Sequence, residues 1–227
     1  GITECDEPVA LWSMRTYLED LYLPATIWDK GKPRLVEPFG GQEDYDFPPP
    51  LNVRGRCYFH DHEEGVTIPL FCGKPVGYCD FKIGEPGIDM WKYLIQGLGL
   101  MDEDRVDIDG CSVSPRELLF RKIPPTASPK KQIELYESGR LSSRLMLICD
   151  VTGKKSGNSM TYRLWTNSPT GKEACRRIPG SNDVSWMTSV PASIFSLMML
   201  RDQVKHTGVF PPEVFDRREV DLLYRGI

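Results

Sequence analysis

The chain has 227 residues, with 28 basic and 32 acidic side chains and a net charge of -4. Its 40% hydrophobic and 26% charged residues are globular composition, and the length suffices for one generous domain. Balanced charge excludes a chain-wide cationic field for nucleic acid or anionic lipid, and no apolar run reaches the roughly 18 residues of a membrane span.

The first apolar spacing is helical: Leu11, Met14, Leu18 and Leu21, stopped by Pro24. A hairpin follows, Ala25 to Trp28 and Arg34 to Val36 about a turn at Asp29-Lys30-Gly31-Lys32. Gly40 to Pro50 is acidic and proline-rich, which predicts a loop. Cys57 to His60, Val66 to Phe71 and Val76 to Lys82 read as strands. Ile88, Trp91, Ile95 and Leu98 mark one face of a helix, and Ser114-Pro115-Arg116-Glu117 opens another with a capping box. Leu145 to Val151 and Met160 to Leu164 alternate about a glycine-bearing turn, predicting a hairpin with one buried face. The longest helix is expected after Pro191, capped by Gly208, with a final helix from Pro212 to Tyr224. Together these elements predict an α+β domain, a mixed and largely antiparallel sheet with helices packed on one face.

Seven cysteines without a CxxC pair argue against a disulfide scaffold or zinc ribbon, and point to a reducing, cytoplasmic setting. The first residues show no basic and apolar leader pattern. Gly97-Leu98-Gly99 has dinucleotide-loop spacing, but Asp102 stands where a third glycine belongs and the pair ends a helix. No cofactor-binding residue is therefore assigned on this chain. His60 and His62 would share one side of a strand, yet HExxH is missing and the acidic neighbours suit a solvated turn, so no metal site is assigned. His62 is retained as a proton-handling substrate contact. Thr188 or Ser189 before Pro191 would open a helix whose free N–H groups suit a carboxylate, and Lys82 at a strand end would pair with one as a point charge. No GxSxG, Walker or cysteine-nucleophile motif marks a catalytic residue.

Several segments in order resemble one family: Tyr58 to Pro69, Val76 to Lys82, Leu98-Gly99-Leu100 with Val113 to Leu119, and Val190 to Ser193 with Gly208 to Glu213. The chain is similar in these to saccharopine dehydrogenase-like proteins, which implies that residues 1–227 are one C-terminal domain, with the family's N-terminal Rossmann domain absent from this chain. The resemblance implies a substrate-binding and dimerising role in an oxidoreductase that uses NAD or NADP. Its substrates would be lysine-derived or polyamine-derived amines, cleaved or formed at a C–N bond by hydride exchange. Lys82, Thr188 and His62 carry over as substrate-side positions. This domain alone is expected to be inactive and to form a homodimer through the sheet, with Tyr162, Trp165 and Tyr136 in the interface. The alternative is a non-catalytic interaction module that keeps the fold.

Overall fold

The computed structural model describes residues 1–226, beginning with strand β1 (Ile2–Cys5) and helix α1 (Met14–Tyr22). Two hairpins, β2 (Ala25–Asp29) with β3 (Lys32–Val36) and β4 (Glu43–Phe47) with β5 (Val53–Phe59), lead to helix α2 (Glu64–Phe71). Short strands β6 (Tyr78–Cys79) and β7 (Lys82–Gly84) precede helix α3 (Ile88–Lys92), which continues as a π turn over Tyr93–Gly97. A small hairpin, β8 (Val106–Ile108) and β9 (Cys111–Val113), is followed by helices α4 (Pro115–Lys122) and α5 (Pro129–Glu137). Strand β10 (Leu141–Arg144), a long hairpin of β11 (Ile148–Lys155) and β12 (Asn158–Trp165), and helices α6 (Gly171–Arg177), α7 (Asp183–Leu200) and α8 (Arg217–Gly226) follow.

The class is α+β, as the sequence predicts. Its strands form several small antiparallel sheets: β1 with β10, β3–β2–β6, β4–β5–β7, β8 with β9, and β11 with β12. The first hairpin and the helix start at Ser114 agree with the sequence, and α1 contains Met14, Leu18 and Leu21 of the first helical spacing but starts after Ser13, leaving Leu11 outside; both serines accept a hydrogen bond from an N–H three residues on. Gly97 closes the π turn and Gly99 is left-handed at φ +63°, so the glycine pair does end a helix.

Four expectations are corrected. Residues 66 to 71 are helical, because the Val66 and Thr67 N–H groups bond to the Glu63 carbonyl and Gly65 packs against the Thr26 carbonyl. A short apolar run has no periodicity to separate buried helix from strand, so tertiary contacts decide. The acidic loop contains β4, whose Glu43, Tyr45 and Phe47 alternate with aspartates. Helix α7 starts at Asn182, not near Pro191: the Asn182 side chain accepts from the Ser185 N–H at 2.9 Å and the Ser185 hydroxyl accepts from the Asn182 N–H at 2.8 Å. Pro191 lies inside α7, and the helix ends at Leu200 with Arg201 as its cap, well before Gly208. Finally, the β11–β12 hairpin buries neither face; all its residues are exposed except half-buried Ile148.

Two apolar clusters hold the elements together. Tyr17, Leu18 and Leu21 of α1 pack with Phe39, Tyr58, Ile88, Ile95 and Met101. Leu11, Leu135, Tyr136, Leu141 and Cys175 form the other, so Tyr136 is a core residue and not interface surface. Buried polar groups tie the second cluster to α7. Asn182 Nδ2 donates to the Leu11 carbonyl at 3.0 Å and to Gln132 at 2.9 Å, and Ser143 links Tyr136 to Asp183. Asn182→Ala removes a helix cap and strands two buried acceptors, and should destabilise the protein by about 2–4 kcal/mol in urea unfolding with little change in slope.

Candidate functional site

The site is built where β5 ends and β7 begins. The antiparallel register sets Phe59 opposite Lys82, and the chain leaves β5 at His60, whose backbone N–H donates to the Phe81 carbonyl at 3.1 Å. That bond holds the loop of residues 60–64 against the entry to β7. His62 stacks on Phe81 with ring centres 4.3 Å apart and planes inclined by 16°. Lys82 places Nζ 5.3 Å from the centre of the Phe59 ring. Two of the three sequence-predicted positions, His62 and Lys82, therefore sit at the same strand entry but against different rings, His62 on Phe81 and Lys82 near Phe59.

Thr188 does not share their basis. It sits within α7, exposed, and its hydroxyl donates to the Val184 and Ser185 carbonyls at 3.1 Å. No helix starts there, so the free N–H groups expected for a carboxylate are absent from that position. Lys82 also differs from expectation: it opens β7 instead of ending a strand, and its side chain is 19% exposed. Its ammonium meets Glu43 at 2.5 Å and Asp80 at 3.6 Å. A substrate carboxylate reaching Lys82 must displace one of them, and Glu43, at 46% exposed against 23% for Asp80, is the easier to move.

The two histidines stand in opposite electrostatic states. His62 contacts Glu64 and lies 3.4 Å from Glu63; the bond to Glu64 raises its pKa against burial and lowers that of Glu64. His60 is buried, its Nδ1 lacks a hydrogen-bond partner, and burial pushes its pKa down to about 4, with His62 adding to the effect and Asp61 opposing it. His62 thus favours the imidazolium and His60 the neutral ring.

Sequence reasoning missed a neighbouring cleft of about 600 Å³, because its acidic lining comes from distant segments: Glu19 and Asp20 on α1, and Asp102, Glu103 and Asp104. Arg116 of α4 bridges Glu19, at 3.1 Å, and Glu103. Burial and then the charge of Asp61 push the Asp20 carboxyl up, with His62 opposing the rise. Its charge disfavours anions and suits cations.

These features define an α+β domain whose polar site hangs on one doubly paired strand. A family model for the saccharopine dehydrogenase C-terminal domain matches residues 7–225, and the chain belongs to that family. Carboxyaminopropylagmatine dehydrogenase of Synechocystis sp. is 29% identical over 123 residues, 54% of this chain and 28% of that protein. The apo saccharopine dehydrogenase (L-Glu forming) of Saccharomyces cerevisiae superposes with a TM-score of 0.57 at 13% identity, over 99% of this chain and 63% of that one. At that identity the likeness speaks for the fold alone. This chain spans under two thirds of either relative.

His60 has a measurable consequence. With a folded pKa near 4 against an ordinary 6.5, the stability that rests on neutral His60 is fully present above pH 6.5 and is lost as pH falls toward 4. Between pH 7 and 5 this amounts to on the order of 2 kcal/mol. In His60→Gln, urea midpoints should vary less across that interval than in the parent.

Proposed function

We propose that this chain is the substrate-binding and dimer-forming domain of an NAD- or NADP-dependent oxidoreductase acting on the C–N bond of an amino-acid-derived or polyamine-derived amine. The observation that carries the reading, beside family membership, is the bond from His60 to the Phe81 carbonyl, which holds the stacked His62–Phe81 loop at the entry to the strand that Lys82 opens. A sheltered ammonium beside the Phe59 ring is a suitable seat for a substrate carboxylate, since a carboxylate taken out of water needs a charged partner. His62, held by Glu64, is suited to move a proton at the amine nitrogen. The nucleotide would supply the hydride chemistry; the residues here bind and orient, which is a large share of the barrier reduction in such reactions.

In the full-length enzyme, assayed with a panel of secondary amines and either nucleotide, Lys82→Ala should raise KM about tenfold to a hundredfold with a smaller change in kcat. Glu43→Gln should act in the opposite direction, lowering KM by freeing the ammonium. Equal KM in both variants and the parent would leave Lys82 as a structural ion pair.

The same proposal includes a homodimer through the β11–β12 hairpin. Cys149 and Val151 on β11, with Met160, Tyr162 and Leu164 on β12, share one face, and all five are exposed. The opposite face carries the Asp150–Arg163 pair and leans on Tyr45, whose hydroxyl donates to Asp150 at 2.8 Å. One face is thus anchored and polar, the other open and apolar, as interface cores are. Leu164→Asp should convert a dimer to monomers in sedimentation at micromolar concentration without changing the circular dichroism of the fold.

A further inference from the structure

The free edge of β2 holds the loop that carries His62. Strand β6 pairs with β2 at Trp28 and Asp29, and among the described residues no strand continues that edge beside Thr26. The N–H and C=O of one strand residue point to the same edge. At Thr26 the loop takes that edge: the Thr26 N–H donates to Asp61 Oδ1 at 3.1 Å, and the Thr26 carbonyl lies against Gly65, where a Cβ would stand 2.8 Å from the oxygen. Successive side chains of an extended stretch point to opposite sides. Asp61 accordingly reaches β2, while His62, next in the chain, stacks on Phe81 with ring centres 4.3 Å apart. Among the described residues, Asp61 is the one of residues 60–64 whose side chain hydrogen-bonds outside the loop; the His62 and Glu64 side chains bond to each other. With the His60 N–H on the Phe81 carbonyl, the backbone is fastened just before His62 and again three residues after it.

We propose that Asp61 is a positioning residue for the proton step: anchored on the Thr26 N–H, it sets where the His62 ring meets a substrate's amine nitrogen, and thereby turnover instead of affinity. The inference rests on the oxidoreductase reading, in which His62 handles the proton and Lys82 takes the carboxylate. Proton transfer needs donor and acceptor within about 2.6–3.2 Å, and a misplacement of about 1 Å costs on the order of a hundredfold in rate. Lys82 keeps its place through the pairing of β7 with β5, so the carboxylate seat survives loss of the anchor. The charge of Asp61 is dispensable in this role, because an amide oxygen accepts the same bond.

The test compares Asp61→Ala, Asp61→Asn, Gly65→Ala and His62→Gln in the full-length protein, with the secondary amine that the parent turns over fastest. Asp61 is exposed, so its replacement leaves the core intact. The expected result is a kcat lower by on the order of tenfold in Asp61→Ala and Gly65→Ala with KM within about twofold, and recovery of most of the loss in Asp61→Asn. Hydrogen exchange at the Thr26 amide reads the anchor without turnover: it should be fast in Asp61→Ala and slow in the parent and Asp61→Asn. The inference is overturned if Asp61→Ala turns over like the parent while His62→Gln is impaired, if Asp61→Asn is as slow as Asp61→Ala, or if the loss falls on KM. Turnover in His62→Gln equal to the parent's overturns the proton role of His62, and this inference with it, whatever the Thr26 exchange shows.

Discussion

Strand β5 is hydrogen-bonded along both edges, to β4 on one side and β7 on the other, and the geometry of the site descends from that. Alternation along β5 and beyond sends Tyr58 and His60 inward and leaves Phe59 for the opposite side. Tyr58 joins the first apolar cluster and donates to Asp89 at 2.7 Å, which fixes the strand against α3. Two glycines make the packing feasible. A Cβ on Gly84 would stand 2.5 Å from Cys57 Sγ, and one on Gly41, at φ +60°, would stand 2.3 Å from the Phe59 ring. With Phe59 pinned by Gly41 and paired with Lys82, the positions of Phe81, His62 and His60 follow within narrow limits.

What the sequence made legible were features written in a few adjacent residues. Ser114 announces its helix through one side-chain hydrogen bond, and the Lys30-Gly31 turn adopts the left-handed conformations that its hairpin demands. Helices α5 and α6 lie outside the sequence expectations, although Ser128-Pro129 and the Thr170-to-Glu173 capping box carry the same kind of signal. The start of α7 was hidden by its own composition. Pro191 suggests a first turn, whereas the reciprocal bonds at Asn182 use serine in the place where glutamate is usual. Once the helix extends through Pro191, Thr188 turns its hydroxyl back on its own backbone, and the anion seat inferred there disappears.

The site was half legible for a related reason. His62 and Lys82 stand twenty positions apart in sequence, but both flank strands, and strands predicted next to one another often pair. The bond from His60 to Phe81, the stacking of His62, and the hold of Glu43 on Lys82 depend on register, which no local pattern specifies. The acidic cleft is the extreme case. Its carboxylates belong to α1 and to the segment before β8, and only the folded first cluster brings them together.

The β11–β12 hairpin has a bearing on how the chain is made. Each of its strands is paired on one side alone among the described residues, so two rows of backbone N–H and C=O groups face outward beside an apolar face. Such edges are templates for intermolecular cross-β pairing, and aromatic and β-branched residues such as Tyr162, Trp165 and Val151 strengthen them. Lys154 and Lys155 at the tip, with the Asp150–Arg163 pair, supply the charges that oppose stacking. Left open, the hairpin exposes the chain to intermolecular pairing from the moment it is made, and the folding of the two apolar clusters does nothing to close that route.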